Sequence, residues 1–397
     1  MKTLYRTRQF GMSIITRIAS KKEPLLIKGT HSLYQIIDLL EQSGKKHVLI
    51  VTTPGFIRRG SLNDFFEKLT EHDIKMTIFS EVSPDPTVEC VEETVLAYQS
   101  GNCEAIVAIG GGSVIDCAKM AGARIVRPNM TIRAMKGTLK IRKQLPDFYA
   151  VPTTAGTGSE ATAAAVVTDT INGTHYKYPV NDLCLIPKYA VLDPELTIAL
   201  PSHITAATGI DALTHAIEAY TNRFASSKTK TNALEAVRLL YENLPLAYQD
   251  GTNIKARENM LLGSYYAGIA ITNNFVGYVH AIAHAIGGLY GVTHGVANAI
   301  LLPHIMEQYG SSAHKSLAAL AKAAGIKAEN DAKSAELFIE SIRKLNREMN
   351  IPERFEMLQK KDFSVIIDRA MSEANPMYPT PCIWNPDDFE TLLRKLV

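Results

Sequence analysis

Between residues 26 and 193 the chain alternates short apolar runs with amphipathic stretches, and after Asp193-Pro194 the apolar runs all but stop. No other feature limits the fold as strongly. Lys46-His47-Val48-Leu49-Ile50-Val51, Met76-Thr77-Ile78-Phe79 and Ala105-Ile106-Val107-Ala108-Ile109 read as strands, and helical periodicity at 31–43, 61–72 and 87–100 separates them. Such alternation predicts a parallel sheet with helices on its faces, binding ligands at the carboxyl ends of its strands. Beyond it, 203–220, 229–247, 253–271, 278–287, 313–324, 332–349, 361–374 and 387–396 read as helices, with Pro or Gly at most breaks. The expected architecture is an α/β N-terminal domain over 1–198 followed by an all-α domain over 199–397.

Where the third strand ends, Gly110-Gly111-Gly112-Ser113 opens a helix that runs through Asp116, Lys119 and Met120. Glycines at a strand-to-helix turn let backbone N–H groups approach a phosphate, and the helix N-terminus adds a favourable partial charge. The run is neither GxGxxG nor a P-loop, so alone it specifies phosphate only weakly, and a tight βα turn would need the same glycines. A second polar loop, Val151-Pro152-Thr153-Thr154-Ala155-Gly156-Thr157-Gly158-Ser159-Glu160, offers hydroxyls and backbone donors to the same ligand. Two such loops in one sheet domain favour a dinucleotide. The candidate contacts are Gly111, Gly112, Ser113, Thr153, Thr154 and Thr157, with Thr53 after an earlier strand and Lys177.

The helical half carries a different chemistry. Asp211 and His215 stand four apart in GIDALTHAIEAY, and His280 and His284 stand four apart in VHAIAHAIGGLYGVTH, so each pair shares one helix face. The Gly287-Gly288 pair is expected to end the second helix, with a short loop bringing His294 back towards it. A carboxylate with imidazoles suits Fe(II), Zn(II) or a similar divalent ion. Singly, any of these histidines would read as a core residue bonded to a carbonyl. Together, five donors compete for about four positions around an ion that keeps one place open.

Charge and cysteines narrow the setting. With 42 basic against 40 acidic side chains the net charge is +2, which argues against a dedicated polyanion binder. No run of about 18 apolar residues offers a membrane span, and the start does not read as a secretory signal, so the cytoplasm is expected. Cys90, Cys103, Cys117, Cys184 and Cys382 form neither a CxxC pair nor an even set, and read as reduced thiols. Residues 1–28 concentrate Lys2, Arg6, Arg8, Arg17, Lys21, Lys22 and Lys28 against Glu23 alone. With Met12, Ile15 and Ile18 as an apolar edge, residues 1–25 read as a basic arm of the first domain, either solvated or docked on a subunit, a membrane surface or an assembly.

GGGSxxDxAK (110–119), PTTAGTGSE (152–160), TGIDALTHAIEAY (208–220) and VHAIAHAIGGLYGVTHGVANAILLPH (279–304) together resemble the iron-containing, group III alcohol dehydrogenases, from about residue 25 to the C-terminus. The resemblance implies a dinucleotide-binding sheet domain and a helical metal-binding domain, the architecture shared with dehydroquinate synthases. It implies one divalent metal, usually iron, on Asp211, His215, His280 and His294. His284 then falls beside the nicotinamide as the proton-relaying catalytic residue, and His304 is left structural. The implied reaction is hydride transfer between NAD or NADP and a small neutral primary alcohol or aldehyde, in a homodimer or higher homo-oligomer.

The sequence departs from the family in one informative place. Many members have Asp in a VTD segment where this chain reads Val51-Thr52-Thr53, and a carboxylate there would repel a ribose 2′-phosphate. Thr53 repels nothing, and Arg58 and Arg59 are near in sequence, so dual or NADP-leaning use is expected. Two alternatives have the same architecture: a glycerol-dehydrogenase-like polyol oxidoreductase, and a non-catalytic, assembly-associated paralogue. The basic cluster that a dehydroquinate synthase needs for a phosphorylated substrate is missing.

Overall fold

The computed structural model describes residues 2–19, 22–171 and 174–397. It divides into two units, Lys22–Leu200 and a second made of Met1–Lys21 with Pro201–Val397. The chain starts with helix α1 (Lys2–Ala19), which belongs to the second unit.

The first unit contains strands β1 (Leu25–Lys28), β2 (His47–Val51), β3 (Lys75–Phe79), β4 (Ala105–Gly110), β5 (Gly137–Thr138), β6 (Asp147–Pro152), β7 (Ala164–Ile171), β8 (Thr174–Asn181) and β9 (Tyr189–Leu192). Its helices are α2 (Gln35–Gln42), α3 (Pro54–Arg58), α4 (Asn63–Glu71), α5 (Val88–Ser100), α6 (Gly112–Val126) and α7 (Ile132–Met135). Six strands form a sheet in the order β1-β9-β6-β4-β2-β3, and every recorded pairing in it is parallel. The alternation of side chains along a strand sorts the core onto two faces. Val48, Ile50, Val107 and Ile109 pack with Ile36 and Leu40 of α2 and Phe65 and Leu69 of α4. Leu49, Val51, Ile106 and Ala108 pack with Val91 and Val95 of α5 and Ile115 and Ala118 of α6. Both faces are covered, so β4 is buried along its whole length and reads as an unbroken apolar run. Each aliphatic side chain buried this way contributes about 1.5–3 kcal/mol.

The order also sets the ligand edge. From β2 the chain crosses to β3 on one side, then returns past β2 to β4 on the other, which makes β2/β4 the topological switch point. Thr53 follows β2, Gly111 to Ser113 follow β4, and Thr153 to Thr157 follow β6. All lie beyond the carboxyl ends of adjacent parallel strands.

An antiparallel hairpin of β7 and β8, in register at Ala165↔Val180 and Val167↔Tyr178, was not anticipated. Between its strands the sequence reads Asn172-Gly173, a hairpin signal that would have found it. Those two residues lie outside the described ones.

The second unit holds α8 (Ser202–Thr221), α9 (Ser227–Gln249), α10 (Ile254–Thr272), α11 (Tyr278–Tyr290), α12 (His294–Tyr309), α13 (His314–Ala323), α14 (Asp331–Glu348), α15 (Phe363–Ala374) and α16 (Pro386–Lys395). Three expectations need correction here. The basic arm, expected in the sheet domain, instead joins the helical unit through α1: Arg6 donates to the carbonyls of Thr380 and Pro381, and Gln9, fully buried, donates to those of Asn375 and Tyr378. Lys21, counted in that arm, lies outside the described residues, as do the side chains of Ile15, Arg17 and Ile18. Gly287-Gly288 does not end α11, because glycine only weakens a helix; the stop is Gly291, in the left-handed region at φ 69°. His294 is not held on a loop but opens α12, whose internal Pro303 hid it from a reading by helix breakers. The unit boundary, at Leu200/Pro201, lies two residues beyond the expected one.

Candidate active site

In the sheet unit, α6 starts with Gly111 at its N-cap, with no side-chain cap and no acidic residue in its first turn. An uncapped N-terminus behind glycines fits a phosphate. The second loop lies against it: a Cβ on Gly111 would stand 3.4 Å from Thr154 Oγ1, and one on Gly112 only 2.6 Å from Thr157 Cγ2. Thr153 N–H donates to the Gly110 carbonyl at 3.0 Å. Farther along α6, Asp116 accepts from the Ser159 hydroxyl and from Val166 N–H, while Lys119, fully buried, donates to the carbonyls of Thr162 and Ala164. Burial pulls the Lys119 amine down to about 8 against the pull of Asp116 and Glu160. The DxAK half of the glycine motif therefore clamps the second loop onto the first.

The other expected contacts stand around this cradle. Thr53 is extended at the N-cap of α3, its hydroxyl unused for capping. Ser113 Oγ accepts from the N–H of Asp85, a residue in the left-handed region at φ 54°, and the Asp85 carboxylate pairs with Lys177. Arg58 and Arg59 are exposed, and Arg59 lies over the Phe56 ring at 5.0 Å.

The helical unit assembles the metal-capable side chains. Asp211, His215 and His280 each offer a ligand atom, and these atoms lie within 4.8 Å of one another, all three residues buried. The His215 and His280 rings stack at 4.5 Å between centroids. His294 Nε2 lies 3.5 Å from Asp211 Oδ1, with its ring 5.2 Å from that of His280, but it is half-exposed and outside the mutual group. His284 is also outside the group; its ring stacks on that of His294 at 5.2 Å and its Nδ1 faces Glu373 Oε1 at 2.8 Å.

Electrostatics support a cation here. Burial opposes ionisation of Asp211, but His215, His294 and His280 outweigh it and hold the carboxyl far below the usual carboxylate range. A buried carboxylate ringed by imidazole nitrogens is a fitting donor set for a divalent ion.

Three residues of this site escaped the sequence reading. Glu218, buried on α8, accepts from His280 Nδ1 at 2.6 Å and from the N–H groups of Gly277 and Val279 at 2.7 and 2.8 Å. It both satisfies the start of α11 and orients the His280 ring so that Nε2 faces Asp211, 3.7 Å from Oδ1. Asn298, four residues after His294 on α12, reaches Asp211 Oδ1 at 2.7 Å. Glu373, on α15, accepts from His284 and from the Tyr378 hydroxyl. Helical spacing could have found the first two, since Glu218 follows His215 by three positions; nothing local points to Glu373.

Comparison with known proteins covers nearly the whole chain. Residues 24–194 match the family described as iron-containing alcohol dehydrogenase, and residues 205–397 match the Fe-containing alcohol dehydrogenase family, C-terminal. The chain belongs to the iron-containing alcohol dehydrogenase family. Within it, the chain is 37% identical to a 1,3-propanediol dehydrogenase of Citrobacter freundii over 358 residues, which covers 89% of this chain and 92% of that one. It is 34% identical to an NAD-dependent methanol dehydrogenase of Bacillus methanolicus, covering 90% and 95% of the two chains. A crystal structure of a 1,3-propanediol oxidoreductase superposes with a TM-score of 0.89 at 33% identity, over 94% of this chain and 98% of the other. Iron and a nicotinamide dinucleotide are thus the cofactors of the family to which both units belong.

Proposed function

We propose that the chain is an NAD(P)-linked, metal-dependent alcohol dehydrogenase and aldehyde reductase acting on small neutral primary alcohols and aldehydes. The observation that carries this reading is the buried grouping of Asp211, His215 and His280 in a chain that matches the family in both units. The relatives named for 1,3-propanediol and methanol support a small alcohol as substrate.

Asp211, His215, His280 and His294 would hold the ion, Fe(II) by family and Zn(II) by affinity ordering. When bound, it supplies a Lewis acid for the substrate oxygen. Asp211 contributes the negative charge, and Glu218 keeps the His280 proton on Nδ1 so that Nε2 faces the donor group. Glu373, as a carboxylate, can only accept, so His284 carries its proton on Nδ1 and leaves Nε2 to exchange the proton of the alcohol. In the sheet unit, the α6 N-terminus with Gly111, Gly112 and Ser113 would hold the pyrophosphate, and Thr153, Thr154, Thr157 and Lys177 would supply further donors. Thr53, in place of a carboxylate, supports acceptance of both NAD and NADP.

A spectrophotometric assay of NADH and NADPH against a panel of aldehydes, on metal-loaded protein, tests the function. Turnover of short aldehydes with either cofactor is expected. Turnover confined to polyols would replace this reading with the glycerol-dehydrogenase-like one, and its absence in protein that retains its metal would favour a non-catalytic paralogue.

The cradle makes a sharper prediction, because the two glycines are not equivalent. A side chain at Gly112 meets Thr157 at 2.6 Å and must displace the second loop, whereas one at Gly111 makes ordinary contact at 3.4 Å. Overpacking costs about 1–3 kcal/mol, so Gly112→Val should weaken NADH and NADPH binding by about tenfold or more, measured by cofactor fluorescence. Gly111→Ala should weaken it less, and bound metal should stay unchanged in both, since Asp211, His215 and His280 belong to the other unit. Equal losses at the two glycines would refute the cradle.

We also propose a homodimer or higher homo-oligomer in the cytoplasm. Leu4, Phe10 and Ile14 of α1 are exposed while Arg6 and Gln9 anchor the helix, which supports docking on a second subunit. The cytoplasm follows from the odd number of cysteines and their lack of a CxxC pair, which do not describe a disulfide framework. No described helix is long and apolar enough to cross a membrane.

A further inference from the structure

Asn298 is fully buried on α12, one turn beyond His294. Its Nδ2 lies 2.7 Å from Asp211 Oδ1, 3.1 Å from His294 Nε2 and 3.3 Å from His280 Nε2. Its Oδ1 is buried with no hydrogen-bond partner. An amide nitrogen has two hydrogens, so it cannot serve all three neighbours well, and the anionic oxygen at the shortest distance takes the best bond. Leaving Oδ1 unbonded is costly, and a side chain placed only for packing would not need to bear that cost.

Distances relate the carboxamide to the ion. Ligands about 2.1 Å from a metal stand about 3.0 Å apart at right angles and about 3.4 Å apart in a tetrahedron. The Asn298 Nδ2 is at about that separation from His294 and His280 and closer, at 2.7 Å, to Asp211, the spacing of a group that borders the ligand set.

We propose that Asn298 is a positioning residue of the metal centre, holding the Asp211 carboxylate in place and filling the position beside Asp211, His280 and His294 so that water does not. This rests on the metal reading given above. The residue does not carry the hydride or the proton; it acts through Asp211 and through the space it occupies.

Co(II) serves as the probe, since its visible absorption reports both affinity and coordination number. Chelator-treated protein is titrated with Co(II) as wild type, Asn298→Leu, Asn298→Ser, Asp211→Ala and the double variant Asp211→Ala/Asn298→Leu. Asn298→Leu keeps the volume but removes the donor, and should weaken Co(II) binding by about 10- to 100-fold, the usual effect of losing a partner of a metal ligand. In the Asp211→Ala background, titrated to high Co(II) so that its much weaker residual binding is read, the same change should matter by less than about twofold, because the group it positions is gone. Asn298→Ser, which opens space for water, should weaken the visible bands through a higher coordination number. Far-UV circular dichroism and the thermal unfolding midpoint check that each variant remains folded, and the serine variant decides the matter should the leucine variant fail that check. Wild-type affinity and spectrum in Asn298→Ser, or an equal loss from Asn298→Leu with and without Asp211, would overturn the proposal while leaving the metal site standing. Failure of wild-type protein to bind Co(II), or binding indifferent to Asp211→Ala, would overturn the metal reading and this inference with it.

Discussion

Protein reconstituted with Fe(II) or Zn(II) is expected to hold about one ion per chain, and Asp211→Ala or His280→Ala to hold almost none and lose all turnover. Asp211 is the only carboxylate in the mutual group, and His280 is the donor whose orientation Glu218 fixes at 2.6 Å. Removing either leaves buried partners uncompensated as well as a ligand missing. Elemental analysis checks the content, and unchanged metal in both variants would sink the assignment. The same pair predicts a pH dependence. Burial alone would depress the His280 pKa, but Glu218 and Asp211 override it and lift it to about 9. An incoming ion must displace that proton at neutral pH, so affinity should rise by about tenfold per unit between about pH 6 and 8. Affinity flat across that range would mean that His280 does not give up a proton to the metal.

His284→Ala is expected to keep its metal and bind cofactor normally while losing turnover by roughly 10²- to 10⁴-fold, the usual contribution of a general acid or base. The side chain lies outside the mutual group, with its ring 6.1 Å from that of His280 and 5.2 Å from that of His294. Its Nδ1 is taken by Glu373, so only Nε2 remains for chemistry. Metal analysis, cofactor fluorescence and steady-state rates on one preparation separate the possibilities. Loss of metal would make His284 a ligand and pass the relay to His280 or His294; full activity would remove it from the mechanism.

What the sequence determined by itself is what periodicity and local spacing encode. The β2, β3 and β4 runs, the helices after Pro201 other than α12, and the Asp211/His215 and His280/His284 pairings were legible, because strand and helix periods are properties of neighbouring residues. The glycine turn after β4 was legible for the same reason, although not the inequality between Gly111 and Gly112, which Thr157 decides from 45 positions away. The remaining features required tertiary structure. Nothing local assigns Lys119 a role, and in the fold it is buried and clamps a loop. The basic arm reads as part of the domain it precedes, yet carbonyls near residue 380 hold it to the other one. Glu218, Asn298 and Glu373 owe their places at the site to the packing of α8, α11, α12 and α15, which brings side chains distant in sequence within hydrogen-bond reach. Helical spacing puts Glu218 on the face of His215 and Asn298 on that of His294, but hydrogen bonds between different helices leave no period in the chain, so only the folded molecule shows what these side chains bond to.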